Sequence, residues 1–338
     1  MKKSRRLTLV AITAMTAASL AACSSETGSE PSDGATAEAW PSAGTTIEWV
    51  VPSAAGAGND ILARIVAPVM AESLDATIKV VNVEGGSQVV GLTQLSSSTP
   101  DGTTLGPTNI PSILGRYLDP SKQAPFDRES FLPIGAYATN AIVIGVGKDS
   151  PYDTAEDLFT AIEDAPGEIT AGTDSRAGDD HINLRLLEDA TDTELNIVHY
   201  NSGADKVAAV MSGEIDFALG GVSSFFGPYQ SGDIRLLAVI DAEESELIPD
   251  VPTLESAGYD VAPMQSRFLM SVAANTPDNI RAALEAALKA ATEDPDVVEK
   301  LKGAATVTEW MSAADAEALW EERETEIKPI IDELLATP

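Results

Sequence analysis

The sequence predicts an α/β fold with largely parallel sheets, divided between two lobes. Short apolar runs of strand length alternate with segments whose apolar residues recur at helical spacing, the pattern of strand–helix–strand units. The part of the chain that carries this alternation is about 290 residues long, more than one core of ordinary size holds.

The first residues belong to neither lobe. Lys2, Lys3, Arg5 and Arg6 precede an uncharged run over residues 7–22 that has no Pro or Gly. A basic end before an apolar core is the layout of a secretory signal, and this run is shorter than the ~20 residues that cross a bilayer. It ends at Leu20-Ala21-Ala22-Cys23, and Cys23 is the only cysteine of the chain. The junction resembles the lipobox of bacterial lipoproteins, which implies cleavage before Cys23 and a diacylglycerol on its thiol. The expected location is the extracytoplasmic face of the cell membrane, held by lipid. Residues 24–44 are rich in Ser, Gly, Ala, Glu, Pro and Thr without apolar periodicity, so they read as a flexible tether with a reach of roughly 25 Å. With one cysteine, no internal disulfide forms.

The formal charge is −32 at pH 7, and loss of the four basic residues of the signal makes it more negative. Such a field opposes nucleic acid and anionic lipid, so neither is an expected partner. It also repels an anionic ligand at long range, so a carboxylate would need donors placed at short range.

Within the body, residues 47–51 form a strand run closed by Pro52 and the loop Ser53-Ala54-Ala55-Gly56-Ala57-Gly58. Ile61, Leu62, Ile65, Val66, Val69 and Met70 then recur at helical spacing, with Asn59 or Asp60 as N-cap. A loop of small residues before a helix lets backbone N–H groups approach an anion, aided by the partial charge of the helix end. It is not a dinucleotide fingerprint, because Ile61 stands where the third Gly is needed. Further strand runs cover residues 77–83, 141–146, 195–200, 215–219 and 234–240, and several strand ends run into small or polar residues. These ends are Thr108-Asn109, Asn201-Ser202-Gly203 and Gly220-Gly221-Val222-Ser223-Ser224. Ligands of open α/β sheets gather at the carboxyl ends of strands, which makes these loops the candidate site. Toward the C-terminus, Thr276-Pro277 and Asp294-Pro295 place an N-cap before a Pro, and Ser312 with Asp315 opens the last helix. Trp310 and Trp320 are read as core residues.

The chain has two histidines, no G-x-S-x-G, no P-loop and no His or Cys cluster at metal-ligand spacing. No enzyme activity, metal or cofactor is therefore expected. The order of motifs resembles the solute receptors of tripartite tricarboxylate transporters, also called Bug-type receptors. The resemblance rests on PSAAGAGNDILAR at 52–64, PDGTTL at 100–105, YNSGA at 200–204, MSGEID at 211–216, PDVPTLESAG at 249–258 and Asn275-Thr276-Pro277. It covers residues 46–335. It implies a periplasmic-binding-protein type II (Venus flytrap) fold in which a monomer closes two lobes on its ligand. The ligand implied is a small organic acid, a mono-, di- or tricarboxylate, held by backbone amides, hydroxyls and waters, and the partner implied is a two-component membrane permease. The domain bounds expected are 1–22 for the signal, 23–45 for the lipidated Cys23 and tether, 46–143 with 254–338 for the first lobe, and 144–253 for the second.

Position by position, Ser53, Ala54, Ala55, Gly56, Gly58 and Asn59 match the family's binding loop, and Thr108 and Asn109 its second first-lobe loop. In the second lobe Thr173, Ser175, Asp179 and His181 occupy a segment that is usually Gly- and Ser-rich before a helix. Tyr200, Asn201, Gly221 and Ser223 complete the candidate set. Two residues depart from the family pattern. Asp179 stands where a small hydroxyl residue is expected, and a carboxylate there repels a carboxylate ligand unless Arg176 compensates or Asp179 merely caps its helix. Otherwise the ligand carries an amino group or is neutral. Arg267 falls where many relatives carry Trp or Tyr beside the cleft. It is either a surface residue or a bidentate contact to a ligand carboxylate, and in the second case Arg267→Ala weakens binding more than tenfold. A ligand-dependent sensor docking on a membrane histidine kinase is the alternative to a transport receptor.

Overall fold

The computed structural model describes residues 40–173, 178–200 and 202–336. Cys23, the signal, residues 24–39 of the tether, Ser175, Arg176 and Asn201 lie outside the described residues.

In chain order the elements begin with β1 (Thr46–Val51), α1 (Gly58–Ser73), β2 (Thr77–Asn82), α2 (Val89–Ser96), β3 (Thr104–Pro107) and α3 (Leu114–Tyr117). The long β4 (Phe131–Gly147) leads into α4 (Ala155–Asp164), β5 (Thr170–Thr173), α5 (Asp179–Thr191), β6 (Asn196–His199), α6 (Gly203–Ser212), β7 (Phe217–Gly221), α7 (Val222–Ser231) and β8 (Ile234–Val239). The chain closes with β9 (Gln265–Ala273), α8 (Asp278–Thr292), α9 (Pro295–Gly303), β10 (Val307–Met311) and α10 (Ala313–Ala336).

Two sheets result. The first has the order β2-β1-β3-β9-β4-β10 and the second β6-β5-β7-β4-β8, so β4 belongs to both. The outer pairs β1–β2, β1–β3, β5–β6 and β5–β7 are parallel, as the strand–helix alternation predicts. Every pairing of β4, and that of β3 with β9, is antiparallel. β4 changes sheets along its length: Phe131–Ala141 pair with β9, and Ile142–Gly147 with β7 and β8. The return follows the same joint, since Met264 N–H donates to Ile240 O at 2.8 Å and the next residue starts β9. Leu254 and Met264 both pack in the second-lobe core with Ile142, Leu158 and Phe217, so the return lies beyond the Leu254 expected from sequence.

Each lobe has its own core. Trp49, Leu62, Val66, Met70, Tyr137 and Leu288 sit together in the first, and Ile144, Leu158, Phe159, Leu187 and Phe217 in the second. Trp320 is buried, with its indole N–H donating to Tyr117 Oη at 3.1 Å. Trp40, placed by sequence in the tether, packs on the first-lobe core, and a Cβ on Gly102 (φ 77°) would come within 2.6 Å of its ring. Two of the helix starts read from sequence show the expected capping chemistry. Asp294 accepts from the N–H groups of Asp296 and Val297 at 2.9 and 3.1 Å, and Ser312 from that of Asp315 at 3.2 Å. At α8 the N-cap is Pro277 itself, one residue later than the Thr276-Pro277 pattern suggests. No described helix is long and apolar enough to cross a membrane.

Candidate functional site

A cavity of about 320 Å³ lies between the two lobes. Its first-lobe wall is Ser53, Ala57, Gly58, Asn59, Gln88, Asn109, Ile110 and Ser112. Its second-lobe wall is Asp179, Asp180, Gly203, Lys206, Gly221, Ser223 and Ser224, while Asn140, Ser266 and Phe268 reach it from the crossing strands.

Four helices present their first turns here: α1 through Gly58 and Asn59, α5 through Asp179 and Asp180, α6 through Gly203, and α7 through Ser223 and Ser224. The first N–H groups of a helix have no intrahelical acceptor and carry partial positive charge. At α6 Ser202 caps the helix by accepting from Asp205 N–H at 3.1 Å. The starts of α1 in one lobe and of α5 and α7 in the other have no cap from their own N-cap side chain, although at α7 the Ser223 N–H donates to Asn140 Oδ1 at 3.4 Å. Paired across a cavity, such ends bind anionic groups.

The first-lobe wall is pinned from behind. α1 begins at Gly58 with Ala57 as its N-cap, so neither Asn59 nor Asp60 caps it. Asp60 instead reaches back to accept the Gly56 N–H at 2.8 Å, together with Arg64 Nε at 3.0 Å and Asn82 Nδ2 at 2.9 Å. Asn82 also donates to Ser53 O at 3.0 Å, which ties both ends of the loop to β2. The Arg64 guanidinium, the Gly56 N–H and the Asn82 amide favour the Asp60 carboxylate and hold its pKa at about 2. In front of this anchor, Asn109 Nδ2 donates to Asn59 Oδ1 at 2.8 Å, joining the two first-lobe loops. Ser53 Oγ and Asn109 Oδ1 are buried without a hydrogen-bond partner among the described residues.

The second-lobe wall carries formal charge. Lys206 is 2 % exposed and pairs with Asp180, while its Nζ donates to Leu219 O at 2.6 Å and lies 5.7 Å from the centre of the Phe225 ring. Asn140 Nδ2 donates to Ser223 Oγ at 2.5 Å, and a Cβ on Gly221 would come within 2.6 Å of that amide, so only glycine admits this approach.

Of the residues singled out from sequence, Ser53, Gly58, Asn59, Asn109, Asp179, Gly221 and Ser223 line the cavity. Others do not. Ala54, Ala55 and Gly56 are exposed and are not among the residues that line the cavity. Thr108 is fully buried, its Oγ1 2.6 Å from Ser271 Oγ between β3 and β9. Thr173 is fully buried at the end of β5. His181 is 5 % exposed, and its Nδ1 lies 3.2 Å from Nε2 of His199. Tyr200 gives its hydroxyl to Glu214 at 2.9 Å. Arg267 lies on the other face of β9. Side chains alternate along a strand, so Ser266 and Phe268 reach the cavity while Arg267 turns away to pair with Glu309 of β10. There it lines a separate cavity of about 360 Å³ with Asp241 and Glu244.

Asp180, Lys206, Gln88, Asn140, Ser112, Ser266 and Phe268 also line the cavity and were not singled out from sequence. Lys206 left a readable signal: it shares the buried face of α6 with Val207, Ala209 and Val210, where a lone charge needs a partner.

Residues 62–335 match the tripartite tricarboxylate transporter family receptor. A UPF0065 protein of Agrobacterium vitis is 27% identical over 291 residues, covering 86% of this chain and 83% of its own length. Among solved structures, MatC from Rhodopseudomonas palustris with bound malate has a TM-score of 0.72 at 19% identity, covering 85% of this chain and 98% of its own. An R. palustris protein with adipate has a TM-score of 0.73 at 22% identity, covering 87% and 98%. These structures share the two-lobe periplasmic-binding-protein fold. With a family match that covers most of both lobes, the chain belongs to the tripartite tricarboxylate transporter receptors, a family of solute-binding proteins.

Proposed function

We infer that this receptor captures a small organic acid between its lobes and delivers it to a two-component membrane permease. The observation that supports this best is the meeting of helix starts at one cavity, α1 from one lobe and α5 and α7 from the other, none of them capped by its own N-cap side chain. A carboxylate at the first-lobe wall would accept from the N–H groups of Gly58 and Asn59 and from the Ser53 hydroxyl, whose Oγ is buried without a partner among the described residues. A second polar end would meet Ser223 and the start of α7. Such donors act at short range, so a strongly acidic protein can still hold an anion. The relatives with bound malate and adipate favour di-acids of this size. The reading includes hinge closure of the lobes on the ligand, release of the ligand unchanged, and anchoring outside the membrane through a lipid on Cys23.

The test is a thermal-shift screen of malate, adipate, a tricarboxylate, amino acids and neutral metabolites, with the ligand recovered and identified afterwards. Saturation at 100 times Kd adds about 2.7 kcal/mol to stability, a rise of several degrees for a protein of this size. Carboxylates are expected to give the rise and to be recovered intact. If only cationic or neutral compounds stabilise the protein, the organic-acid reading is wrong, and chemical change in the ligand would show an enzyme. The intact mass of detergent-extracted protein checks the lipid on Cys23. Asp179 and Asp180 on the second-lobe wall favour a second reading, an acid that also carries an amino group. Stabilisation by amino acids above their desamino counterparts would select it.

A further inference from the structure

Between β2 and α2 the backbone takes an unusual course. Gly85, Gly86, Ser87 and Gln88 have φ values of 130°, 54°, 52° and 79° in succession. Two glycines adopt these angles freely, but Ser87 and Gln88 place a Cβ in the left-handed region that L-residues avoid. The turn is tight because α2 is set close against the preceding strands. A Cβ on Gly91 would lie 2.8 Å from Pro52 Cβ and from Val83 O, and one on Gly85 would lie 2.9 Å from Val90 Cγ2. A turn serving only to reverse the chain would be better served by glycine at 88. Gln88 instead lines the cavity, half-buried, on the same wall as Ser53 and Asn109. Its carboxamide, with two donors and an acceptor, makes no hydrogen bond to another described residue. Strained non-glycine backbone in a ligand cleft is retained where the side chain has something to hold.

We propose that Gln88 is a specificity-determining ligand contact, its carboxamide carried into the cavity by the left-handed turn so that Nε2 donates to a ligand carboxylate. The proposal rests on the organic-acid reading above and adds one donor that the α1 loop does not contain. It also separates two properties that mutations at a binding site usually lower together. The left-handed turn is relieved by Gln88→Gly, which removes the contact. The contact is inverted by Gln88→Glu, which keeps size and backbone while turning a donor into a second carboxylate.

Wild type, Gln88→Gly and Gln88→Glu are titrated calorimetrically with malate and with adipate, and each is melted without ligand. Gln88→Gly is expected to melt no lower than wild type and up to about 3 °C higher. It should bind the acid about tenfold or more weakly, the loss expected of a hydrogen bond to a charged group. Gln88→Glu should fold equally well and bind more weakly still. Affinity within twofold of wild type in Gln88→Gly overturns the proposal and leaves the organic-acid reading intact. A lowered melting point with a matching loss of binding makes the turn structural and overturns it as well. Tighter binding by Gln88→Glu rules out the donor role, and a wild type that binds neither acid overturns the proposal together with the reading beneath it.

Discussion

The two walls of the cavity are built on opposite electrostatic plans. The first-lobe wall presents neutral groups, namely Ser53, Asn59, Gln88, Asn109 and the start of α1, and keeps its ions behind them in the Asp60–Arg64 pair. The second-lobe wall places its ions at the surface of the cavity, with Asp179, Asp180 and Lys206 among its lining residues. A charge behind a loop fixes geometry without meeting the ligand. A charge in front of it sets which ligands are tolerated. The first wall is thus suited to holding an anionic group through neutral donors, and the second to limiting which charges the rest of the ligand carries.

The largest effect that would break this contrast comes from the second wall. Lys206→Met removes the buried Lys206–Asp180 ion pair and should cost about 3–5 kcal/mol, a fall in melting temperature on the order of 10 °C. Adding Asp180→Asn in the same chain should recover most of it. If the double variant is no better than the single one, the pair is not what stabilises this wall. A smaller effect belongs to the first wall. Asp60→Asn should cost about 1–3 kcal/mol in a denaturant titration. The folded pKa of Asp60 lies at about 2 against an ordinary 3.8, so its contribution is complete above pH 3.8 and is lost as pH falls through 2. The wild-type midpoint should drop across that window, and the variant should lack that part of the drop. The smallest effect is at Arg267. Because it faces away from the cavity and pairs with Glu309, Arg267→Ala should leave calorimetric affinity within twofold. A tenfold loss would mean that the lobes rearrange enough to bring it to the ligand.

Much of this was legible in the sequence, for reasons that also explain the gaps. The loops at strand ends were found because small residues after an apolar run have few other uses, and Ser53, Asn59, Asn109, Gly221 and Ser223 all fall on the cavity. The first half of β4 was not found, since Pro133, Gly135, Thr139 and Asn140 interrupt its apolar pattern. β9 was missed for a related reason: Gln265, Ser266 and Arg267 open it with polar residues. Without that strand the face of Arg267 could not be assigned, and a residue one position out of phase with Ser266 and Phe268 looked like a cleft residue. Lys206 was overlooked because the motif before it drew attention to residues 200–204, while the side chain that reaches the cavity sits one turn into the helix. Sequence motifs located the backbone of the site well, and side chains arriving from neighbouring helices and strands poorly.

The shared strand also bears on how the molecule is made. The first sheet is not complete until β4 has joined β9, and that ladder pairs Phe131 with Ala273 across a long stretch of intervening chain. Contacts between such distant segments close large loops before they stabilise anything, which slows folding. A chain still emerging, with β4 present and β9 absent, exposes an unpaired strand edge. The same strand that joins the two lobes therefore delays completion of the first sheet until the last third of the sequence has arrived.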